Sequence, residues 1–165
     1  AGSDSVELLT GPGIIRGNYV EITEQTHVAI GTDRGDSIVM AGNTVHVRDG
    51  GRLDIGFRSW AESQRHTIAG NIVTADPGGV CRLAMDLRGQ MQTGTGNIVE
   101  NQSDVEPMRL RIGGGNTTLT GNLLKNVVLE VNDAYEPQKP ILFSGNVLDG
   151  ATIEVVRGKV RDPLE

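Results

Sequence analysis

The feature that most constrains this fold is a Gly-Asn dipeptide that recurs between short aliphatic runs. One such pair would predict a hairpin turn, because both residues tolerate positive φ. Successive pairs are, however, 25, 28, 26, 25 and 24 residues apart, and six unrelated hairpins would need five coincidences of spacing. Such a period is typical of a solenoid, in which each repeat is one coil that buries its apolar face against its neighbours. The glycines of the six pairs are Gly17, Gly42, Gly70, Gly96, Gly121 and Gly145.

The segments between these pairs predict strands. RLDIGF, RLAMDL, MRLRIG, VVLEVN and TIEVV place aliphatic residues at every second position, as half-buried strands do. No segment of about 12 residues shows the apolar spacing of a helix. Each coil then holds a strand, a variable connection, a second strand ending at Gly-Asn, and a short third strand. The sequence therefore predicts an all-β, single-domain parallel β-helix with about six or seven coils. These coils run from about residue 6 to about residue 160 and precede a short polar C-terminal tail.

The asparagines of the six pairs are expected to form a ladder. One residue of each bend must adopt the left-handed conformation, and asparagine is the non-glycine residue that does so at least cost. Their side-chain amides should then hydrogen-bond along the solenoid axis. The predicted ladder consists of Asn18, Asn43, Asn71, Asn97, Asn122 and Asn146.

The segments TIAGNIVT, TLTGNLLKN and ILFSGNVLDG resemble the coil consensus of right-handed parallel β-helix proteins, the pectin-lyase-like superfold. This resemblance implies a right-handed, single-stranded solenoid over nearly the whole chain. The superfold includes pectate and pectin lyases, polygalacturonases, epimerases, phage tailspikes, adhesins and non-catalytic spacers, so the fold alone does not select a function. In character the chain is most similar to short, non-catalytic tailspike- and decoration-type β-helices of phages.

Charged residues are predicted to line one outer face. Alignment of the first strand of each coil gives an outward column with neighbours about 4.8 Å apart. One interpretation makes Asp54, Asp86 and Arg111 the site of an enzyme acting on an acidic polysaccharide. The other, which we favour, is a solvated face on which Arg111 neutralises Asp86 and Glu130. The expected column is Glu7, Ala29, Asp54, Asp86, Arg111, Glu130 and Glu154.

Two exposed aromatic residues are further candidates for binding a glycan or a partner chain. Trp60 and Tyr135 lie in short insertions, and Trp is a frequent interface anchor. Together with them, the outward charges Asp54, Asp86, Arg111 and Glu130 complete the predicted binding residues.

Composition argues against several other classes of function. The net charge of −6 without a basic run makes binding to nucleic acid or an anionic membrane improbable. The lone cysteine, Cys81, is expected in the core. The three histidines lack clustered ligands, so no metal and no cofactor are predicted. The Arg-Xaa-Pro-Xaa-Xaa-Arg signature of pectate lyases is absent from the sequence, as are the Asn-Thr-Asp, Asp-Asp and Gly-His-Gly motifs of polygalacturonases.

The ends of a β-helix expose strand edges and core, which loops, a neighbouring subunit or a larger protein must cover. The expected assembly is a homo-oligomer, with a trimer favoured by the resemblance to phage proteins. The sequence therefore predicts a non-catalytic structural and interaction module on a virion (capsid decoration, tailspike or fibre) or on a cell surface. Its partners would be other virion or surface proteins, or a polysaccharide. The alternative is a polysaccharide lyase, hydrolase or epimerase, or a glycan-binding module that uses the outer face.

Overall fold

The computed structural model describes residues 5–8, 11–60, 62–133, 139–158 and 160–161. These ranges contain twenty strands and no helix, arranged in three parallel sheets, here called sheets A, B and C. Sheet A contains β1 (Val6–Leu8), β4 (Gln25–Thr32), β7 (Arg52–Ser59), β10 (Val80–Leu87), β13 (Met108–Ile112), β16 (Val127–Asn132) and β19 (Thr152–Arg157). Sheet B contains β2 (Gly13–Arg16), β5 (Ile38–Ala41), β8 (Thr67–Ala69), β11 (Thr93–Thr95), β14 (Thr118–Thr120), β17 (Ile141–Ser144) and β20 (Val160–Arg161). Sheet C contains β3 (Tyr19–Ile22), β6 (Thr44–Val47), β9 (Ile72–Ala75), β12 (Ile98–Asn101), β15 (Leu123–Lys125) and β18 (Val147–Asp149).

The strand order confirms the predicted parallel β-solenoid. Every third strand returns to the same sheet, so β1 to β18 make six complete coils and β19 and β20 begin a seventh. Each sheet pairs only strands of consecutive coils, as expected when a coil buries its apolar face by stacking. In the part of the chain that the structure describes, no helix is long and apolar enough to cross a membrane.

The core is an aliphatic stack along the axis. Successive residues of each strand alternate between this stack and the surface, which is why the sequence shows a period of two. Phe57 is the largest fully buried side chain, and the buried residues around it are mostly Ile, Leu, Val and Met. Cys81 lies in the same core as expected, and burial, with a smaller contribution from Asp54, raises the pKa of its thiol to about 12.

The six predicted asparagines do form a ladder. The Nδ2 group of each of the first five donates to the Oδ1 atom of the asparagine in the next coil, at 2.8 to 3.1 Å. The same Oδ1 atom also accepts the backbone N–H of the preceding asparagine. From Asn43 to Asn122 these amides are buried, so their hydrogen bonds replace those that water would make.

The expected reason for the ladder is wrong, because glycine and not asparagine takes the left-handed conformation. The glycine preceding each ladder asparagine has φ between 59° and 66°. No ladder asparagine has positive φ among the described residues. Glycine reverses the chain at no steric cost, and the asparagine that follows is left free to direct its amide inward.

Sheet A contains an irregularity that the sequence alignment missed. Within the segment that pairs with β13, strand β10 has one extra residue. Leu83 is paired with Arg109 and Met85 with Leu110, which leaves Ala84 as the extra residue of a β-bulge. Strands β4, β7 and β10 pair without any shift and therefore share this bulge. Two successive residues in each then point inward, namely Ala29 and Ile30, Gly56 and Phe57, and Ala84 and Met85.

Candidate functional site

A groove of about 600 Å³ lies on the outer side of sheet A and is here called the sheet A groove. Its floor is apolar and includes Ile55 and Leu83, and its walls are charged. The wall residues are His27, Asp54, Arg82, Glu106, Pro107, Arg109, Arg111 and Glu130.

The bulge creates this groove. In a regular strand Ile55 and Leu83 would face the core, because they follow outward residues directly. The extra residue reverses the alternation, so these aliphatics lie on the outer side instead, in register with one another and with Arg109. Val28 is the register partner of Ile55 in the preceding coil and continues the same row.

At one side of the groove, polar side chains of successive coils contact one another in a chain. His27 Nδ1 lies 3.0 Å from Asp54 Oδ2. Arg82 lies 3.8 Å from Asp54 and 3.4 Å from Glu106, but its side chain is 64% exposed. The pairing of Arg82 is therefore loose and largely solvated, and worth at most about 1 kcal/mol.

At the other side the pairs are shorter and more buried. Arg111 Nε donates to Glu130 Oε1 at 2.8 Å, and Arg109 Nη1 donates to Glu130 Oε2 at 3.1 Å and to Glu154 at 2.7 Å. Burial raises the pKa of Glu130, but the hydrogen bond and charge of Arg111 outweigh it and leave that pKa below its usual value. Glu130 is therefore held as an anion and is unsuited to donate a proton.

The predicted outward column is correct at five positions and wrong at two. The register gives Glu7, Gly31, Arg58, Asp86, Arg111, Glu130 and Glu154. Gly31 and Arg58 replace the expected Ala29 and Asp54, because the bulge displaces the alternation in the second and third coils. Asp54 lies four residues before Arg58 along β7, about 13 Å away, so Asp54 and Asp86 are not neighbours.

Asp86 is fully buried and lies outside the groove. Arg88, which directly follows β10, holds its carboxylate, with Nε to Oδ1 at 3.1 Å and Nη2 to Oδ2 at 2.9 Å. Arg111 Nη1 lies 4.0 Å away on the next strand. A substrate has no access to this carboxylate.

Trp60 also lies outside the groove. The guanidinium groups of Arg58 and Arg88 lie 5.4 and 5.2 Å from the centre of its ring, within the range of cation–π contacts. The ring therefore covers part of the charged column. Tyr135, the other predicted aromatic candidate, lies outside the described residues.

A Ser-His pair that the sequence did not predict lies at the corner between sheets A and B. Ser59 Oγ is 2.9 Å from His66 Nδ1, His66 Nε2 is 2.9 Å from the carbonyl of Gly35, and Gln92 donates to Ser59 Oγ. Because the Gly35 carbonyl can only accept, Nε2 carries the proton and Nδ1 accepts from the hydroxyl. Ser59 and His66 are at most 1% exposed, so this pair stabilises the corner and offers no nucleophile to solvent.

Within the described ranges, no group of three or more His, Cys, Asp or Glu side chains is placed to hold a metal ion. Comparison with known proteins adds no family: no protein-family model, curated protein or solved structure matches the chain. Inference about function therefore depends on the geometry of this molecule.

Proposed function

We propose that the protein is a non-catalytic structural and interaction module that self-associates. The observation that carries this proposal is the state of the charges on the outer side of sheet A. Arginine and carboxylate side chains alternate from the third to the sixth coil of the outward column. The most buried wall carboxylate, Glu130, accepts from two arginines. Such a face supports the coil stack and leaves few reactive groups.

The carboxylate spacing also argues against glycoside hydrolysis. Asp54 and Glu130 lie on strands separated by three strand spacings, about 14 Å. Paired carboxylates of inverting and retaining glycosidases lie about 5 to 9.5 Å apart. Asp86, which is nearer to Glu130, is inaccessible. The predicted carboxylates Asp54, Asp86 and Glu130 therefore do not provide such a pair.

Display on a virion or cell surface is the setting we propose, as a capsid decoration or a segment of a spike or fibre. A stack of six coils with a hydrogen-bonded amide ladder is a rigid spacer about 24 Å long between its first and sixth strands. The support for a virion comes from the resemblance to short phage β-helices, which also suggested a homotrimer. The distribution of uncharged side chains on sheets B and C instead favours a two-fold dimer.

Turnover tests the non-catalytic proposal directly. The protein would be incubated with a panel of acidic and neutral polysaccharides, and new reducing ends and unsaturated products would be measured. We expect no product above the level of heat-denatured protein. Turnover that the double variant Asp54→Asn/Glu130→Gln abolishes, and that Asp36→Asn on another face retains, would overturn the proposal.

A second candidate function is passive binding of an acidic glycan in the sheet A groove. The specific observation in its favour is an apolar floor beside the guanidinium groups of Arg82, Arg109 and Arg111, of which Arg82 is loosely paired. Calorimetry with an oligouronate should then show saturable binding that Arg82→Gln weakens. Trp60→Ala should leave the affinity unchanged, because Trp60 lies outside the groove.

A further inference from the structure

The surface around the Gly-Asn corner differs from the rest of the molecule in lacking charge. Two outward rows of sheet B and the first outward row of sheet C flank this corner in all six complete coils. The rows are Ile14, Val39, Thr67, Thr93, Thr118 and Leu142; Arg16, Ala41, Ala69, Thr95, Thr120 and Ser144; and Tyr19, Thr44, Ile72, Ile98, Leu123 and Val147. Charged residues make up 22% of the chain, yet Arg16 is the only one among these eighteen. We call this surface the uncharged face.

Its residues are accessible. All eighteen are exposed or partly exposed, and the aliphatic and aromatic side chains at its two ends are the most open. Ile14 and Tyr19 in the first coil are 65% and 61% exposed, and Val147 in the sixth is 58% exposed. Depletion of charge is the compositional mark of the centre of a protein–protein interface. With the six corner glycines the face holds 24 residues, within the range of about 20 to 30 residues that each partner contributes to a standard interface.

We propose that the uncharged face binds a second copy of this chain, packed antiparallel about a two-fold axis that runs along the strands of sheet B. The proposal rests on the function proposed above and names the surface and the partner. In this arrangement the first coil of one copy faces the sixth coil of the other, the second faces the fifth, and the third faces the fourth.

The distribution of side chains favours a two-fold axis. The first row is aliphatic at both ends, with Ile14 and Leu142, and consists of threonine in the middle, with Thr67 and Thr93. A two-fold axis through its centre therefore places Ile14 opposite Leu142 and Thr67 opposite Thr93. Val39 then lies opposite Thr118, whose methyl group can contact it. An isologous interface needs this kind of self-complementarity.

The one charge on the face supplies an independent argument. Arg16 is exposed and forms no ion pair among the described residues. Because the proposed axis runs along the strands, each row faces itself, and Arg16 of each copy lies opposite the uncharged Ser144 of the other. Parallel packing would instead bring the first coils, and so the Arg16 side chains, together.

Charge exchange at this contact tests the proposal. Sedimentation equilibrium of the wild-type chain should give a monomer–dimer equilibrium, and Ser144→Arg alone, which places two arginines opposite each other, should raise the dissociation constant about tenfold or more. The double variant Arg16→Asp/Ser144→Arg should restore it. A second variant, Thr95→Glu/Thr120→Glu, should give a monomer, while Gln25→Glu/Gln102→Glu, which adds the same charge elsewhere, should not.

Circular dichroism and melting temperature would establish that each variant is folded. A wild-type monomer, a trimer, or an Arg16→Asp/Ser144→Arg variant that dimerises no more tightly than Ser144→Arg alone would overturn the proposed interface. These outcomes are separate from polysaccharide turnover, which overturns the non-catalytic function whatever the assembly.

Discussion

The Gly-Asn corner and the outer side of sheet A are built from the same coils but follow different rules. At the corner, each coil presents the same two residues to its neighbours, and the hydrogen bonds repeat within 0.3 Å of one another. On sheet A, three of the coils contain an extra residue, and the outward side chains change from coil to coil. We infer that the asparagine ladder holds successive coils in register. The strand lengths and outward side chains of sheet A can then vary without loss of the fold.

The sharpest way to break this comparison is to remove one rung of the ladder. Asn97→Ala leaves the Asn71 backbone N–H, the Asn71 Nδ2 group and the Ile68 carbonyl without their partners in a buried site. Since each buried unsatisfied group costs about 1 to 3 kcal/mol, we expect a loss of about 3 to 5 kcal/mol in the free energy of unfolding. Urea denaturation measures it.

The matched control is Asn18→Ala at the open end of the ladder, where the side chain is partly exposed and no earlier rung depends on it. Its loss should be about 1 kcal/mol, in the range of a single net hydrogen bond. Equal losses for the two variants would contradict the idea that buried rungs hold the stack.

The next largest effect concerns the residue that reverses the chain. Gly96 has φ of 61° and no atom within 4 Å of the position of a Cβ, so Gly96→Ala should cost about 1 to 2 kcal/mol through backbone conformation alone. Gly96→Asn should cost less, because asparagine tolerates this region better. The same urea titration checks both variants, and a neutral Gly96→Ala would show that the bend does not require a left-handed residue.

The ladder could be predicted from sequence because six identical dipeptides recur at one spacing. The number of coils and the aliphatic core follow from the same repeat. The prediction of the outward column was wrong at Ala29 and Asp54. It assumed regular alternation in every strand and therefore could not include an extra residue. A sequence pattern in three consecutive coils could have indicated the bulge. It consists of an aliphatic residue, a small residue and a second large apolar residue, as in Val28-Ala29-Ile30 and Leu83-Ala84-Met85. The next coil has Leu110-Arg111-Ile112, with a long charged residue where the small one would lie.

The sheet A groove could not be predicted from the sequence, because it also depends on the bulge. In a regular strand Ile55 and Leu83 would face the core, and only the bulge places them on the outer side. The uncharged face could not be predicted from the sequence either. Its three rows come from different strands of each coil, so recognising it requires the strand register of both sheet B and sheet C.

The buried imidazole of His66 predicts that the free energy of unfolding depends on pH in a range where the charged side chains of sheet A contribute little. Burial lowers the pKa of His66 from 6.5, although the Gly35 carbonyl and Asp36 act in the opposite direction. On falling pH the unfolded chain therefore takes up a proton first. His66 should therefore leave the free energy of unfolding unchanged above pH 6.5 and lower it as the pH falls below that value.

Urea denaturation at a series of pH values between 8 and about 5 checks this prediction. The carboxylates with lowered pKa, among them Glu130, weaken stability only below 4.5 and so do not interfere. The variant His66→Gln should flatten the profile in this window, and an unchanged slope in that variant would contradict the role assigned to the imidazole.

The smallest expected effect lies in the sheet A groove. Arg82→Gln removes two loose, solvated ion pairs, at 3.8 and 3.4 Å, and should change the free energy of unfolding by less than about 0.5 kcal/mol. Glu130→Gln is the matched comparison, since its carboxylate is mostly buried and accepts from two arginines, and it should cost about 1 to 3 kcal/mol. A large loss for Arg82→Gln would mean that the exposed wall supports the stack after all.

The central claim is that this molecule acts by assembly and not by turnover. Light scattering coupled to size exclusion, at several loading concentrations, tests it most directly. We expect a species of twice the 17.6 kDa chain mass that dissociates on dilution. A species of 17.6 kDa at every concentration would contradict it and would favour a function in the sheet A groove.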